Sequence, residues 1–155
     1  TPYIQANQAQ ARKQAINEVL PNVEEVEEVE KNGSVFYEGY DAEGNQVGVA
    51  FQNSGGGYNG AIEIMIGVDL DTDKIFKISV LNHQETPGLG ARITENEFKS
   101  NFEDKAFGDY SVVKTPPSEE TQVQAIAGAT ISSESVTRII ESGLDKINSA
   151  YGGGN

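Results

Sequence analysis

The sequence contains no cysteine and no tryptophan, and only one histidine and one methionine among 155 residues. Without thiolates there is no disulfide, thiolate zinc site, iron–sulfur cluster, c-type haem attachment or thiol catalysis. One His and one Met leave no material for a His-rich metal centre or a His/Met haem site. Redox work on this chain therefore needs a cofactor held without sulfur ligands, and no metal site is expected. Cations are scarce as well. Eleven Lys and Arg against 24 Asp and Glu leave a formal charge of −13. Such a surface repels phosphate backbones and anionic lipid heads, which argues against nucleic-acid binding. Long hydrophobic runs are also missing, since a membrane span needs about 18 apolar residues. The best run, Ile62 to Val68, is short and is interrupted by Glu63. No signal peptide is visible. The chain starts at Thr1 rather than Met, so we expect a trimmed or processed form from which an N-terminal membrane anchor is absent.

The length fits one domain, and a hydrophobic fraction of 37% is enough for one core. Residues 3–20 read as an amphipathic helix, with Ile4, Ala11, Ala15, Ile16, Val19 and Leu20 near helical spacing and Pro21 at its end. The acidic run 22–31 repeats Val23, Val26 and Val29 at spacing three, which suits either a continued helix face or a charged strand edge. Residues 34–40, 46–51, 61–70 and 74–81 alternate apolar and polar side chains, the last only loosely. They are joined by turn chemistry at Asp41 to Asn45 and at Asp71-Thr72-Asp73. A meander of about four strands follows. A short helix is expected over 94–102, with Thr94 as cap and Glu97 three residues on. Residues 103–121 read as loop with an edge strand at 110–113, and 123–126 as a short strand. The clearest helix spans 131–147, striped by Val136, Ile139, Ile140, Leu144 and Ile147. The expected fold is α+β: an antiparallel sheet, made of the meander plus additional short strands, with N-terminal and C-terminal helices packed on it. Residues 148–155 are expected to form a flexible Gly-rich tail.

Two motifs fail on context. Gly55 to Gly60 satisfies GxGxxG, but a strand pattern follows it where dinucleotide binding needs a helix. Asp69-Leu70-Asp71-Thr72-Asp73 begins like a calcium loop, yet Lys74 and Val80 occupy positions where that loop needs Gly and a bidentate Glu. His83 has no Ser, Cys or second His at a suggestive spacing.

Two segments are more informative. In Glu85-Thr86-Pro87-Gly88-Leu89-Gly90, Pro87-Gly88 fits the centre of a type II turn, and Gly90 allows a second close backbone approach. Leu89, a lone large apolar residue between glycines, either plugs the core or faces a planar ligand. In Ala127-Gly128-Ala129-Thr130-Ile131-Ser132-Ser133, small residues lead into the best helix, with Thr130 placed as N-cap. Free amides and the positive dipole end there would either be served by that cap or stabilise a phosphate beside Thr130.

Taken together, Gly57-Tyr58-Asn59-Gly60, Glu85 to Gly90 and Gly128-Ala129-Thr130 resemble the FMN-binding domain of the Rnf complex G subunit and its relative NqrC, in the family's order and over about residues 3–147. The resemblance implies FMN esterified through its phosphate to Thr130. It also implies an extracytoplasmic electron carrier at the cell membrane, tethered by an N-terminal helix, working with other subunits of an ion-translocating redox complex and modified by a flavin transferase. Around that ester, Gly128, Ala129, Ser132 and Ser133 would surround the phosphate. Leu89 and Tyr58 would form an apolar wall for the ring. Glu85, Thr86 and the backbone near Gly88 and Gly90 would meet its edge. The chain departs from the family's attachment motif at two places: Gln124 stands where an acidic residue is usual, and Ala127 where Ser or Thr is usual. That departure motivates an alternative, a structural or interaction module without flavin. A third reading is an FMN-dependent reductase of a small soluble substrate.

Overall fold

Alternation with period two dominates the middle of the chain, and it builds the sheet. In the computed structural model, which describes residues 2–152 and side chains from Gln10 onward, six strands run in simple sequence order. They are β1 (Glu25–Lys31), β2 (Ser34–Tyr40), β3 (Gln46–Gly56), β4 (Ala61–Asp69), β5 (Lys74–Asn82) and β6 (Lys105–Ala106), and every neighbouring pair is antiparallel. The acidic run is thus a strand edge. Asn32 and Gly33, both at positive φ, close the β1–β2 hairpin with Lys31 opposite Ser34. An Asn-Gly pair is the turn that matches the twist of such a hairpin, and it decides between the two readings of this segment. The Asp41 turn is self-supporting, because the Asp41 carboxylate accepts the amides of Glu43 and Asn45 at 3.0 and 2.9 Å.

Helices cover both faces. Helix α1 (Pro2–Val19) lays Ala15, Ile16 and Val19 on one face, where they and Leu20 form a cluster with Tyr37, Ala50 and Met65. Ala11 is exposed, and Ile4 lies outside the described side chains. Helix α3 (Thr130–Tyr151) buries the whole predicted stripe on the opposite face, against Phe36, Phe51, Ile64, Ile66 and their neighbours. Each such side chain contributes about 1.5–3 kcal/mol when removed from water. Gly143 lets this helix lie close. A Cβ there would meet Ile66 Cδ1 at 2.9 Å and Phe51 Cε2 at 3.0 Å. The α+β expectation holds, with the meander extended to six strands.

Several boundaries differ from the expectation. Residues 94–102 are not one helix but a 3₁₀ turn (Gly90–Thr94), a single α turn, α2 (Asn96–Lys99), and a second 3₁₀ turn (Ser100–Phe102). Thr94 does not cap α2, since its hydroxyl donates back to the Ala91 carbonyl at 3.0 Å and Glu95 holds the cap position. The short strands β7 (Ser111–Val113) and β8 (Gln122–Gln124) pair with each other in parallel, apart from the main sheet. Helix α3 continues past residue 147 because Tyr151 has a partner surface. Its ring meets Phe36 edge-on at 5.4 Å, and its hydroxyl donates to Glu38 at 2.7 Å. Residues 148–151 belong to α3, and residues 153–155 of the expected tail lie outside the described residues.

Candidate functional site

The three sequence motifs meet at one end of the sheet. The β3–β4 hairpin turns there, with Gly56 opposite Ala61 and the Gly57 amide donating to the Gly60 carbonyl at 2.6 Å. Strand β5 ends beside it, Asn82 lying opposite Glu63, and delivers the Glu85–Gly90 loop. That loop makes the predicted turn. The Leu89 amide donates to the Thr86 carbonyl at 3.1 Å, and Gly88 takes φ +78°, which an L side chain rarely adopts. Gly90 then passes so close to the start of α3 that an added Cβ would sit 2.5 Å from Ser132 Oγ and 2.9 Å from Glu85 Cβ.

The start of α3 differs from expectation in one atom's role. Ala129, not Thr130, occupies the cap position, and no side chain caps the helix. Thr130 is its first helical residue, half-buried, and its hydroxyl holds no partner among the described residues. The first-turn amides of Thr130, Ile131 and Ser132 have no intrahelical acceptor. The two serines are used inside the protein. Ser133 Oγ donates to the Ala129 carbonyl at 2.9 Å and accepts the Ile126 amide at 3.0 Å, which fixes the turn below Thr130. Ser132 Oγ donates to Glu85 Oε1 at 2.5 Å.

Glu85 is the electrostatic centre of this end. Its side chain is buried, and Oε1 also accepts the Tyr58 amide at 3.0 Å while Oε2 accepts the Asn59 amide at 2.9 Å. Burial pushes its carboxyl up. The bonds from Ser132, Asn59 and Tyr58, with His83 nearby, outweigh burial and hold it below the ordinary carboxylate value. The Glu85 amide donates to His83 Nδ1 at 3.1 Å, which gives the lone histidine a local role in shaping the loop.

Between these elements lies a mostly apolar cleft of about 440 Å³, within the ~300–1,000 Å³ usual for small-molecule sites. Tyr58 stands on one side, and Thr86, Leu89 and Gly90 form a second wall. Gly128, Ala129, Thr130 and Ser132 form the third. Tyr58, Leu89 and Ile131 are among the few large apolar side chains left exposed anywhere in the described chain, at 64, 46 and 51%. Leu89 is therefore not a core plug. It lines the cleft beside Gly128, whose φ is +80° and where an added Cβ would lie 3.3 Å from Leu89 Cδ2.

Three predicted residues stand elsewhere. Glu85 does not reach the cleft, because its carboxylate is consumed behind the wall. Ser133 is fully buried, and Gly88 serves the turn without lining the cleft. Asn59 and Ile131 line the cleft and were not foreseen. Ile131 carried a usable signal, because it is a large apolar residue off the buried stripe of α3. On the other side of Thr130 and Gly128 a second, more polar cleft of about 700 Å³ includes Arg92 and Lys114. Thr130 stands on the ridge between the two.

The FMN-binding domain family model matches residues 57–145, the stretch that carries all three motifs. The chain is 37% identical to the G subunit of the ion-translocating oxidoreductase complex of Methanosarcina acetivorans over 153 residues, covering 94% of this chain and 79% of the relative. It is 38% identical to the G subunit of the proton-translocating ferredoxin:NAD(+) oxidoreductase complex of Clostridium ljungdahlii over 97 residues, covering 63% of this chain and 51% of that one. The fold is similar to that of the C subunit of the Na(+)-translocating NADH-quinone reductase from Parabacteroides distasonis, with a TM-score of 0.66 at 23% identity over 89% of this chain and 81% of that one. NqrC of Shewanella oneidensis gives a TM-score of 0.63 at 21% identity, over 83% of this chain and 67% of that one. With its glycine turn, Pro-Gly loop and Gly-Ala-Thr helix start gathered at one cleft, this chain belongs to the family of FMN-binding domains.

Proposed function

We propose that this domain carries FMN esterified to Thr130 and relays electrons as the G subunit of a membrane ion-translocating complex, on its extracytoplasmic side. The observation that carries the reading is the placement of Thr130. Its hydroxyl is unengaged while both nearby serines are consumed, and it stands where an apolar cleft meets the open amides of a long helix.

The residues present fit such a group. The phosphodiester formed at the first position of α3 carries one negative charge and lies where the helix dipole and unpaired amides favour an anion, by about 0.3–1 kcal/mol from the dipole alone. The adjoining cleft carries both signs, Arg92 and Lys114 beside Glu95 and Glu97, with Arg92 paired to Glu95 at 3.2 Å. Gly128, bare of a side chain and at positive φ, keeps the approach to Thr130 open. Tyr58, Leu89 and Ile131 offer apolar surface for a flat ring, and Thr86 and Asn59 offer polar atoms at its edge. Bound flavin supplies reversible electron transfer, and the protein's part is to hold it and to tune its surroundings. Attachment by a transferase needs an activated donor such as a flavin dinucleotide. The Thr130 Oγ–P bond forms, the phosphoanhydride bond to the departing nucleotide breaks, and the hydroxyl proton passes to a base on the transferase.

Gln124 and Ala127 favour one other reading, a module of the same complex that is never flavinylated. Co-expression with a flavin transferase separates the two. After denaturation, flavin fluorescence and the added mass stay with the wild-type polypeptide and are absent from Thr130→Val, while both fold alike. A wild-type chain that stays colourless beside an active transferase refutes the covalent reading. Chain made without a transferase has the unmodified mass.

A further inference from the structure

Glu85 is a buried carboxylate that does not itself line the cleft, yet from behind the wall it binds together segments far apart in sequence. Its oxygens take the amides of Tyr58 and Asn59, from the hairpin turn, and the hydroxyl of Ser132, from the first turn of α3. The backbone around it is built to allow this contact. Gly90 passes between Glu85 and Ser132 with no room for a Cβ, and the Thr86 hydroxyl continues the link by accepting Asn59 Nδ2 at 2.8 Å. Burying a carboxylate is costly unless its oxygens are satisfied, and here three donors satisfy both.

We infer that Glu85 is the positioning residue that fixes the spacing of the flavin cleft, by holding the Tyr58–Asn59 turn against the helix start that carries Thr130. This rests on the flavin reading of Thr130. The argument for a carboxylate at this position, rather than any polar side chain, is one of acceptor count. Oε1 serves two donors and Oε2 a third. A glutamine with its oxygen in the Oε1 place turns its NH₂ toward the Asn59 amide. Flipped, it turns the NH₂ toward the Tyr58 amide. In either orientation one backbone N–H faces a donor and is left unpaired. Either way one of the two bonds that tether the Tyr58–Asn59 turn is lost, and this turn carries Tyr58, exposed at 64% beside the cleft.

The test compares wild type, Glu85→Gln and Ser132→Ala, each prepared without flavin and each flavinylated by co-expression with a transferase. In the flavin-free proteins, amide hydrogen exchange at Tyr58 and Asn59 is slow in wild type. It rises about tenfold or more at one or both residues in Glu85→Gln, and the core strands keep their protection. Ser132→Ala cuts the link to α3 but leaves both amide bonds, so Tyr58 and Asn59 stay protected. In the fractions that carry flavin, both variants shift the reduction potential and the fluorescence yield from wild type, Glu85→Gln by more. A merely structural Glu85 would lower stability and leave these flavin properties in place. Unchanged exchange at residues 58 and 59 in Glu85→Gln, or flavin properties identical to wild type in both variants, overturns the inference. If Glu85→Gln fails to fold, Ser132→Ala decides, and an unshifted potential in it is refutation. A wild-type chain that takes no flavin defeats the reading of Thr130 instead, and the exchange experiment then decides the role of Glu85 by itself.

Discussion

Gly90→Ala is a small change with a large expected cost. The added methyl group would lie 2.5 Å from Ser132 Oγ, 3.3 Å from Ser132 Cβ and 2.9 Å from Glu85 Cβ. Neither neighbour is free to yield, because Ser132 Oγ and Glu85 Oε1 are joined by the 2.5 Å hydrogen bond. Relief comes in one of two ways. Ser132 rotates and gives up a bond to a charged group, at about 1.5–3 kcal/mol, or the loop moves off the helix, with an overpacking cost of about 1–3 kcal/mol. The expected loss is therefore roughly 1.5–3 kcal/mol, and for a domain of this size each kcal/mol lowers Tm by about 2–4 °C. Urea unfolding of wild type, Gly90→Ala, Ser132→Ala and the double variant measures it. Removing the hydroxyl leaves only the 3.3 Å contact with the serine Cβ and the contact with Glu85. The double variant is thus less destabilised than the sum of the singles, by about 0.5 kcal/mol or more. A loss under about 0.5 kcal/mol for Gly90→Ala, or strict additivity, refutes the packing argument.

Tyr151→Ala removes the edge contact with Phe36, the cation–π contact with Lys31 at 4.0 Å and the bond to Glu38. It is expected to cost about 2–4 kcal/mol in urea unfolding and to fray the last turn of α3, read as a loss of helical circular dichroism. The stability gap between wild type and Glu85→Gln depends on pH with a definite sign. The folded state holds the Glu85 proton more weakly than the unfolded chain does. Its contribution is therefore complete above the ordinary Glu value of about 4.3 and is lost as pH falls through the lower folded value. The gap between the two proteins, followed by urea midpoints from neutral to acid pH, narrows on acidification. A gap that widens contradicts the assignment.

Periodicity carried the sheet. Strands β2 to β5 were legible from apolar–polar alternation in the sequence and from the Asp, Asn and Gly turns that bound them, although β3 and β4 are buried on both faces along their middle residues. The α3 stripe was legible for the same reason at helical period. The short elements were not. Residues 94–102 have a capping pattern, but the preceding chain, where Gly90 lies too close to Ser132 for a Cβ, forms a 3₁₀ turn that takes the Thr94 hydroxyl. The β7–β8 pair joins two very short segments across an irregular loop, and no local signal announces a parallel pairing. At the site, the three motifs supply most of the residues that line the cleft. The roles within it depended on which hydroxyls and carboxylates were already spent. Glu85 and Ser133 look identical to ligand-facing residues in a sequence, and only the three-dimensional hydrogen-bond count separates them from Thr130.

The packing under α3 has a bearing on when the proposed modification of Thr130 would happen. Each strand pairs with the one made just before it, so most of the scaffold is wired through nearby residues. Nothing in the hydrophobic layer under α3 waits for an external group, since its apolar side chains fill one another's space. If Thr130 carries flavin as proposed, the hydroxyl is offered to the transferase by an already packed helix start, and the timing of cofactor loading would be set by encounter with that enzyme rather than by completion of the core.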